Sequence, residues 1–367
     1  MSTFEERKAG FLAIELDDAG YGNLAAAVLA AESAGFHVAT FKDTPEAGRV
    51  NALQRAAFAG PATRTIAVVP EVDTVYTEPF HVSTQLASLD YVSGGRAGWI
   101  ATAAESPEAA AAVGRSFVQG SALAQEAAAS IEVSRRLWDS WEDDAVIRDV
   151  ATGRYIDVDK LHYADFETPS DFAGPAYSVK GPSIIPRPLQ GQLPVLAAAS
   201  LVGEGLVPVE AVDAVLVTAP TPELLTAEIR DVRVRLGASV AIVAELDVVL
   251  DARGQAADSR ALSAQETASA QEAASAQESG RARFVGSAAG LADLLDSILQ
   301  EADGVRLHPA VLEVELEELS RLVLPELRRR GTLRPPIQDG TFRNVLGLAP
   351  AENRYSTTAA ATVAAGK

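Results

Sequence analysis

A chain of 367 residues with 48% apolar and 22% charged side chains is a globular composition with material for a large core. Its 31 basic and 50 acidic side chains give a net charge of −19, which repels nucleic acid and anionic membrane surfaces at long range. There is no cysteine, so disulfides, thiolate metal sites and a cysteine nucleophile are excluded. The polar start MSTFEERKAG runs into a seven-residue apolar stretch, too short for a secretion signal, and no later apolar run reaches the length of a membrane span. A cytoplasmic location is the expectation.

Short aliphatic runs alternate with longer amphipathic ones along most of the chain. Residues 11–16 (FLAIEL) read as a first strand, and 23–34 as a helix closed by Gly35. A strand over 36–41 and a helix over 49–59 follow, then a strand over 64–69 and a helix over 79–91. A fourth strand covers 97–103, and the segment through Trp141 is strongly helical. Strands over 194–199 and 213–218 come next, then an amphipathic helix over 221–236 with Thr221 as N-cap. The last units are a long strand over 239–250, a helix over 287–300, a short strand over 304–307 and a helix over 311–330. Eight strand–helix units imply a parallel sheet closed into a (β/α)8 TIM barrel, an α/β fold. Periodicity also allows an open doubly wound sheet, but no GxGxxG follows the first strand.

Two insertions break this pattern inside a single expected domain spanning 1–355. The stretch 142–192 has Gly and Pro clusters and predicts a loop or hairpin excursion over one end of the barrel. The second insertion, at about 252–283, carries SAQETA, SAQEAA and SAQESG in tandem from Ser263 to Gly280. That six-residue period has no apolar face to bury, and an exposed, marginally helical loop is expected. Residues 356–367 read as a flexible tail. There is no HExxH, GxSxG or Walker loop, and four scattered histidines make no metal site. The acidic run around Asp143 and Asp144 reads as a solvated face.

Three segments carry a family resemblance. They are YTEPFHVSTQLASLDYVSGGRAGW (76–99), LWDSWEDDAVIRDVATGRYIDVDK (137–160) continuing to VKGPSIIPRPLQGQLPV, and VLPELRRRG with LGLAPAENRY near the end. FVGS before a helix and DGVRLHP at the eighth strand are shorter matches. With these motifs the chain resembles the luciferase-like flavin-dependent monooxygenases, in the branch of the nitrilotriacetate and dibenzothiophene-sulfone enzymes. That resemblance implies a TIM barrel binding reduced FMN supplied by a separate NAD(P)H-dependent reductase. It implies O2-dependent oxidation of a small organic substrate, and oligomers, a homodimer or heterodimer, as partners. In such a division of labour the protein orients the cofactor and shields it from water.

By the same resemblance Asp43, at the end of the second strand, falls near the flavin ring, and the Thr74 hydroxyl could bond the flavin edge. Thr102 and Ser200 are the remaining candidates, at the ends of the fourth and fifth strands. His81 reads as a helix-surface or core imidazole, and Arg96 and Trp99 as scaffold for the fourth strand. The chain departs from the family pattern at these ends, reading Ile100-Ala101-Thr102-Ala103-Ala104, Gly120-Ser121-Ala122 and Ala197-Ala198-Ala199-Ser200 where the family has amide, hydroxyl and imidazole groups. A phosphate dianion needs several charge-assisted donors at about 1.5–3 kcal/mol each. Two readings therefore stand: an FMNH2-dependent monooxygenase, or a non-catalytic paralogue or partner subunit that keeps the barrel.

Overall fold

A computed structural model describes residues 9–16, 23–43, 50–267 and 280–356. The strands, in chain order, are β1 (Phe11–Glu15), β2 (Val38–Phe41), β3 (Ala67–Asp73), β4 (Trp99–Thr102), β5 (Val146–Asp149), β6 (Arg154–Ile156), β7 (Phe166–Glu167), β8 (Ser178–Val179), β9 (Val195–Ala198), β10 (Ala214–Val217), β11 (Ala241–Leu250), β12 (Ala282–Gly286) and β13 (Gly304–Pro309). The main helices are α1 (Leu24–Ala34), α2 (Ala52–Ala59), α3 (Pro79–Ser93), α4 (Pro107–Ala112), α5 (Ser121–Asp139), α6 (Pro222–Leu236), α7 (Ala257–Thr267), α8 (Ala288–Ile298), α9 (Leu312–Glu318), α10 (Leu324–Arg329) and α11 (Phe342–Leu346).

Strands β1, β2, β3, β4, β9, β10, β11 and β13 pair in parallel, and β13 returns to β1, closing an eight-stranded barrel. Both strand faces are buried, which is why the strands read as aliphatic runs without polar alternation. One face packs on the helices through residues such as Leu12, Ile14, Val68, Val215 and Ile242. The other fills the lower barrel with Phe11, Val38, Val69, Ile100, Leu196, Leu216 and Val243. Helix α11 plugs the bottom with Phe342, fully buried against that layer. Two glycines make room: a Cβ on Gly98 would lie 2.4 Å from Phe342, and one on Gly304 would lie 2.4 Å from Phe11.

Several elements differ from expectation. The third strand does not stop before Pro70; it runs to Asp73 and pairs Glu71 with Ile100 of β4. Segment 142–192 forms the antiparallel pairs β5–β6 and β7–β8. It packs on α5, with Phe166 and Val179 against Val133 and Leu137. The seventh unit contains a ninth parallel strand, β12, which pairs with the upper half of β11 beyond β10. The final helix is one run with a π-helical turn at Leu319–Val323. Ser287 caps α8, accepting the Gly290 N–H at 3.2 Å. Of the SAQE repeats, Ser263–Thr267 ends α7, while 268–279 lie outside the described residues, as do tail residues 357–367.

Candidate active site at the barrel mouth

Strand alternation decides which residues look into the barrel. Above the apolar layer, the inward positions of five strands are polar: Glu15 on β1, Thr40 on β2, Glu71 on β3, Glu245 on β11 and Arg306 on β13. Arg306, 3% exposed, sits among three carboxylates. Its Nη2 donates to Glu15 and, at 2.7 Å, to Glu71 Oε1; Nη1 donates to Glu245 Oε1 at 2.9 Å, and Nε to Thr40 Oγ1 at 2.9 Å. Thr40 in turn donates to Glu15 Oε2 at 2.9 Å, and the Lys42 N–H donates to Glu15 Oε1 at 3.0 Å. His308 Nε2 lies 3.3 Å from Glu245 Oε1.

Burial works against every charge in this layer, and the partners decide the outcome. Burial raises the Glu245 carboxyl, but Arg306 and His308 overcome that and hold it down to about 2. Glu15 is likewise held below its ordinary value, burial being outweighed by Arg306 and His308. Burial would lower Arg306, yet Glu15, Glu71 and Glu245 push it up. Burial keeps the His308 imidazole below its usual value. Glu71 goes the other way, raised by burial, with only Arg306 opposing. Beside it Asp73 is raised by burial while closing the loop after β3, accepting the N–H groups of Ala104 at 2.8 Å and Tyr76 at 2.6 Å.

The residues expected from sequence are distributed around this mouth. Thr102 faces inward, half-buried, at the end of β4 and in register with Asp73. Ser200 is exposed in the turn Ala199–Leu201 that leaves β9. Asp43 is half-buried after β2, where its Oδ1 accepts the Ala52 N–H at 3.4 Å at the start of α2. Thr74 is buried, and its hydroxyl donates to the Thr102 carbonyl at 2.8 Å, so its proton is spent joining two strand ends. The alanines that depart from the family pattern divide by face. Ala101, Ala197 and Ala199 are buried among the helix-facing core, whereas Ala198 is exposed. His81 is on the surface of α3, its side chain 79% exposed beside Glu78. The sequence did not single out Glu15, Glu71, Glu245 or Arg306. Each is a charge set among aliphatic strand residues, a pattern that demands a buried partner but does not name it.

The motif residues hold the scaffold. Arg96 donates to Thr63 Oγ1 at 2.9 Å, to the Gly60 and Thr63 carbonyls at 2.9 and 2.8 Å, and to the Ile66 carbonyl, fixing the start of β4. Trp99 Nε1 donates to the Val72 carbonyl at 3.1 Å. Asp90 accepts from Gln190 Nε2 at 2.7 Å, and Asp139 from Arg187 Nε at 3.1 Å. Asn353 of the ENRY run donates to the Asp139 and Trp141 carbonyls at 3.0 and 2.8 Å. Asp143 pairs with Arg187 and Asp144 with Lys160, each carboxylate more than two-thirds exposed, as on a solvated face. A hollow of about 510 Å3 lies away from the mouth, at the opposite end by Glu32, Gly35 and Arg328. There Glu32 Oε1 already accepts three backbone N–H groups, from Arg64, Thr65 and Ile66. Among the described residues no three His, Asp or Glu are placed to hold a metal ion, and no helix is long and apolar enough to cross a membrane.

A closed parallel barrel with its polar layer at the C-terminal strand ends defines the class. The model of the luciferase-like monooxygenase family matches residues 8–324, so the chain belongs to that family. Over 144 residues (39% of this chain, 31% of the relative) it is 38% identical to N-acetyl-S-(2-succino)cysteine monooxygenase of Bacillus subtilis (strain 168). Over 139 residues (38% and 29%) it is 35% identical to nitrilotriacetate monooxygenase component A of Aminobacter aminovorans, so the resemblance to that branch holds. These matches span about a third of the relatives' length. Riboflavin lyase (RcaE), solved with modified FMN and riboflavin, shares the fold with a TM-score of 0.76 at 18% identity, over 96% of this chain and 99% of that one.

Proposed function

We propose that this protein is a flavin-dependent monooxygenase of the two-component kind, oxidising a small organic molecule with O2 at the barrel mouth. The observation that carries the reading is the family match, which spans all eight barrel strands and hence the mouth they form. The name of one relative, component A, supports delivery of reduced FMN by a separate reductase.

The mouth suits the flat, uncharged end of a flavin. Exposed Ala198 has only a methyl group, and the half-buried Thr102 stands on the neighbouring strand β4. Thr102 and Ser200 would give hydroxyls to the cofactor, and Asp43 would border it. Thr74 would act by holding the ends of β3 and β4 together. Bound reduced flavin would supply the oxygen chemistry; the chain would orient it and keep water out. Because Ala101, Ala197 and Ala199 face the helices, their lack of donors costs the mouth less than the linear sequence suggests.

Titration with FMN, oxidised and reduced, followed by fluorescence or calorimetry, tests the reading. Saturable binding is expected, weakened about 5- to 10-fold by Thr102→Ala or Ser200→Ala, the loss of one hydrogen bond. No saturable binding up to roughly millimolar FMN would overturn it and leave the non-catalytic partner subunit as the reading.

A further inference from the structure

We propose that Glu71 remains protonated at neutral pH and presents its carboxylic O–H into the barrel mouth as a proton donor to the reactants bound there. The donor role rests on the mouth being the reaction site, as proposed above; the protonation does not.

The argument is one of charge and geometry. Three carboxylates share one guanidinium, leaving two negative charges in a layer where each side chain is 3–14% exposed. An uncompensated buried charge is costly, and neutralising one carboxyl by a proton relieves it. Hydrogen bonds decide which one. Glu15 accepts from Arg306, Thr40 and the Lys42 N–H, and Glu245 from Arg306 with His308 alongside. Glu71 accepts from Arg306 alone, through Oε1, and its Oε2 has no hydrogen-bond partner among the described residues. That second oxygen is also not sealed in, since the Glu71 side chain is the most exposed of the three.

Among the described residues the groups facing Glu71 are mostly acidic, and Lys42, next after Phe41 at the end of β2, has a partner of its own. Glu15 faces Glu71 from β1 and Glu245 from β11, both raising it; Asp73 is two residues along β3. Asp247 on β11 is paired with Arg281 at 2.7 Å, and burial lowers the His308 imidazole on β13. The inward residues of β4, β9 and β10, namely Ile100, Thr102, Ala198 and Leu216, cannot ionise. A carboxylic acid in this position can donate to an acceptor oxygen or nitrogen where a carboxylate would repel it.

Infrared spectroscopy of the cofactor-free protein at about pH 8 tests the protonation directly. At that pH Asp90, which burial pushes up to about 6, is ionised and silent in the protonated-carboxyl region. Wild type should show one protonated-carboxyl C=O band that is lost at every pH in Glu71→Gln, whereas Glu15→Gln or Glu245→Gln, each removing a charge that keeps the proton on Glu71, should only lower the pH at which it vanishes. Within minutes of transfer to D2O the band should shift, because the O–H opens to the mouth. Absence of the band, its persistence in Glu71→Gln, or a band unmoved in D2O for hours overturns the proposal. Should Glu71→Gln fail to fold, the wild-type band alone decides: it must persist at pH 8 and vanish on further alkalinisation. None of these readouts needs FMN, so failure here and failure to bind flavin are separate results.

Discussion

The lower and upper halves of the barrel interior are built from the same eight strands on opposite physical terms. Below, Phe11, Val69, Ile100, Leu196 and Leu216 pack against the Phe342 plug, and none of these side chains can titrate. Above, the inward positions one or two pleats further along carry Glu15, Glu71, Glu245 and Arg306. A close-packed apolar layer gives stability that is insensitive to pH. A buried ionic layer gives little net stability, because desolvation consumes the Coulombic gain, but it places charge and protons at fixed points. The stable half is therefore the closed end and the chemically able half the open one.

The largest effect that would break this comparison is at Arg306. Arg306→Met leaves three carboxylates without their cation and should cost about 3–5 kcal/mol near neutral pH. The sign follows from the shifts. Arg306 holds Glu15 and Glu245 below their ordinary values, so without it burial raises them and the folded state binds more protons than the unfolded one. Denaturant melts should thus show the gap to wild type widening as pH rises from about 4 to 7. A gap that stays constant with pH would mean that the upper layer is not organised by this guanidinium.

Phe342→Ala should cost about 3 kcal/mol by opening a cavity under the lower layer, with the same loss at pH 5 and pH 8. A pH-dependent loss would show that the plug and the ionic layer are coupled. His37 supplies a smaller, sharper test at the lower rim. It accepts the Leu12 N–H at Nδ1 (3.1 Å), and its Nε2 reaches the Arg334 carbonyl at 2.9 Å. Burial lowers it to about 4 from 6.5. The unfolded chain therefore binds a proton that the folded one refuses between these values, and stability should be lost as pH falls from 6.5 to 4. His37→Gln should remove roughly 2–3 kcal/mol of that slope. An unaltered slope would show that His37 is not the group responsible.

Much of the fold was legible because alternating strand and helix periods are local properties. The Gly35 helix end and the Thr221 cap are likewise local. The misses have physical causes. Pro70 reads as a strand breaker, yet it sits within β3, and the strand's continuation carries Glu71 into the barrel. The strand β12 is five residues with an arginine, Arg283, among them, and it forms only because β11 extends past its neighbour. The motifs that made the family recognisable, around Asp90, Arg96, Asp139 and Asn353, are scaffold bonds between distant loops and say little about chemistry.

By itself the sequence determined the class of architecture and the family, since strand–helix alternation and long motifs are written in consecutive residues. It also placed Thr102 and Ser200 at strand ends. Only the tertiary structure decided which alanines face helices, that Thr74 spends its hydroxyl on a backbone carbonyl, and that four isolated charges form one layer. Glu15 and Arg306 are 291 residues apart and meet because closure sets β1 beside β13. Closure is a property of the whole sheet, and no window of sequence contains it.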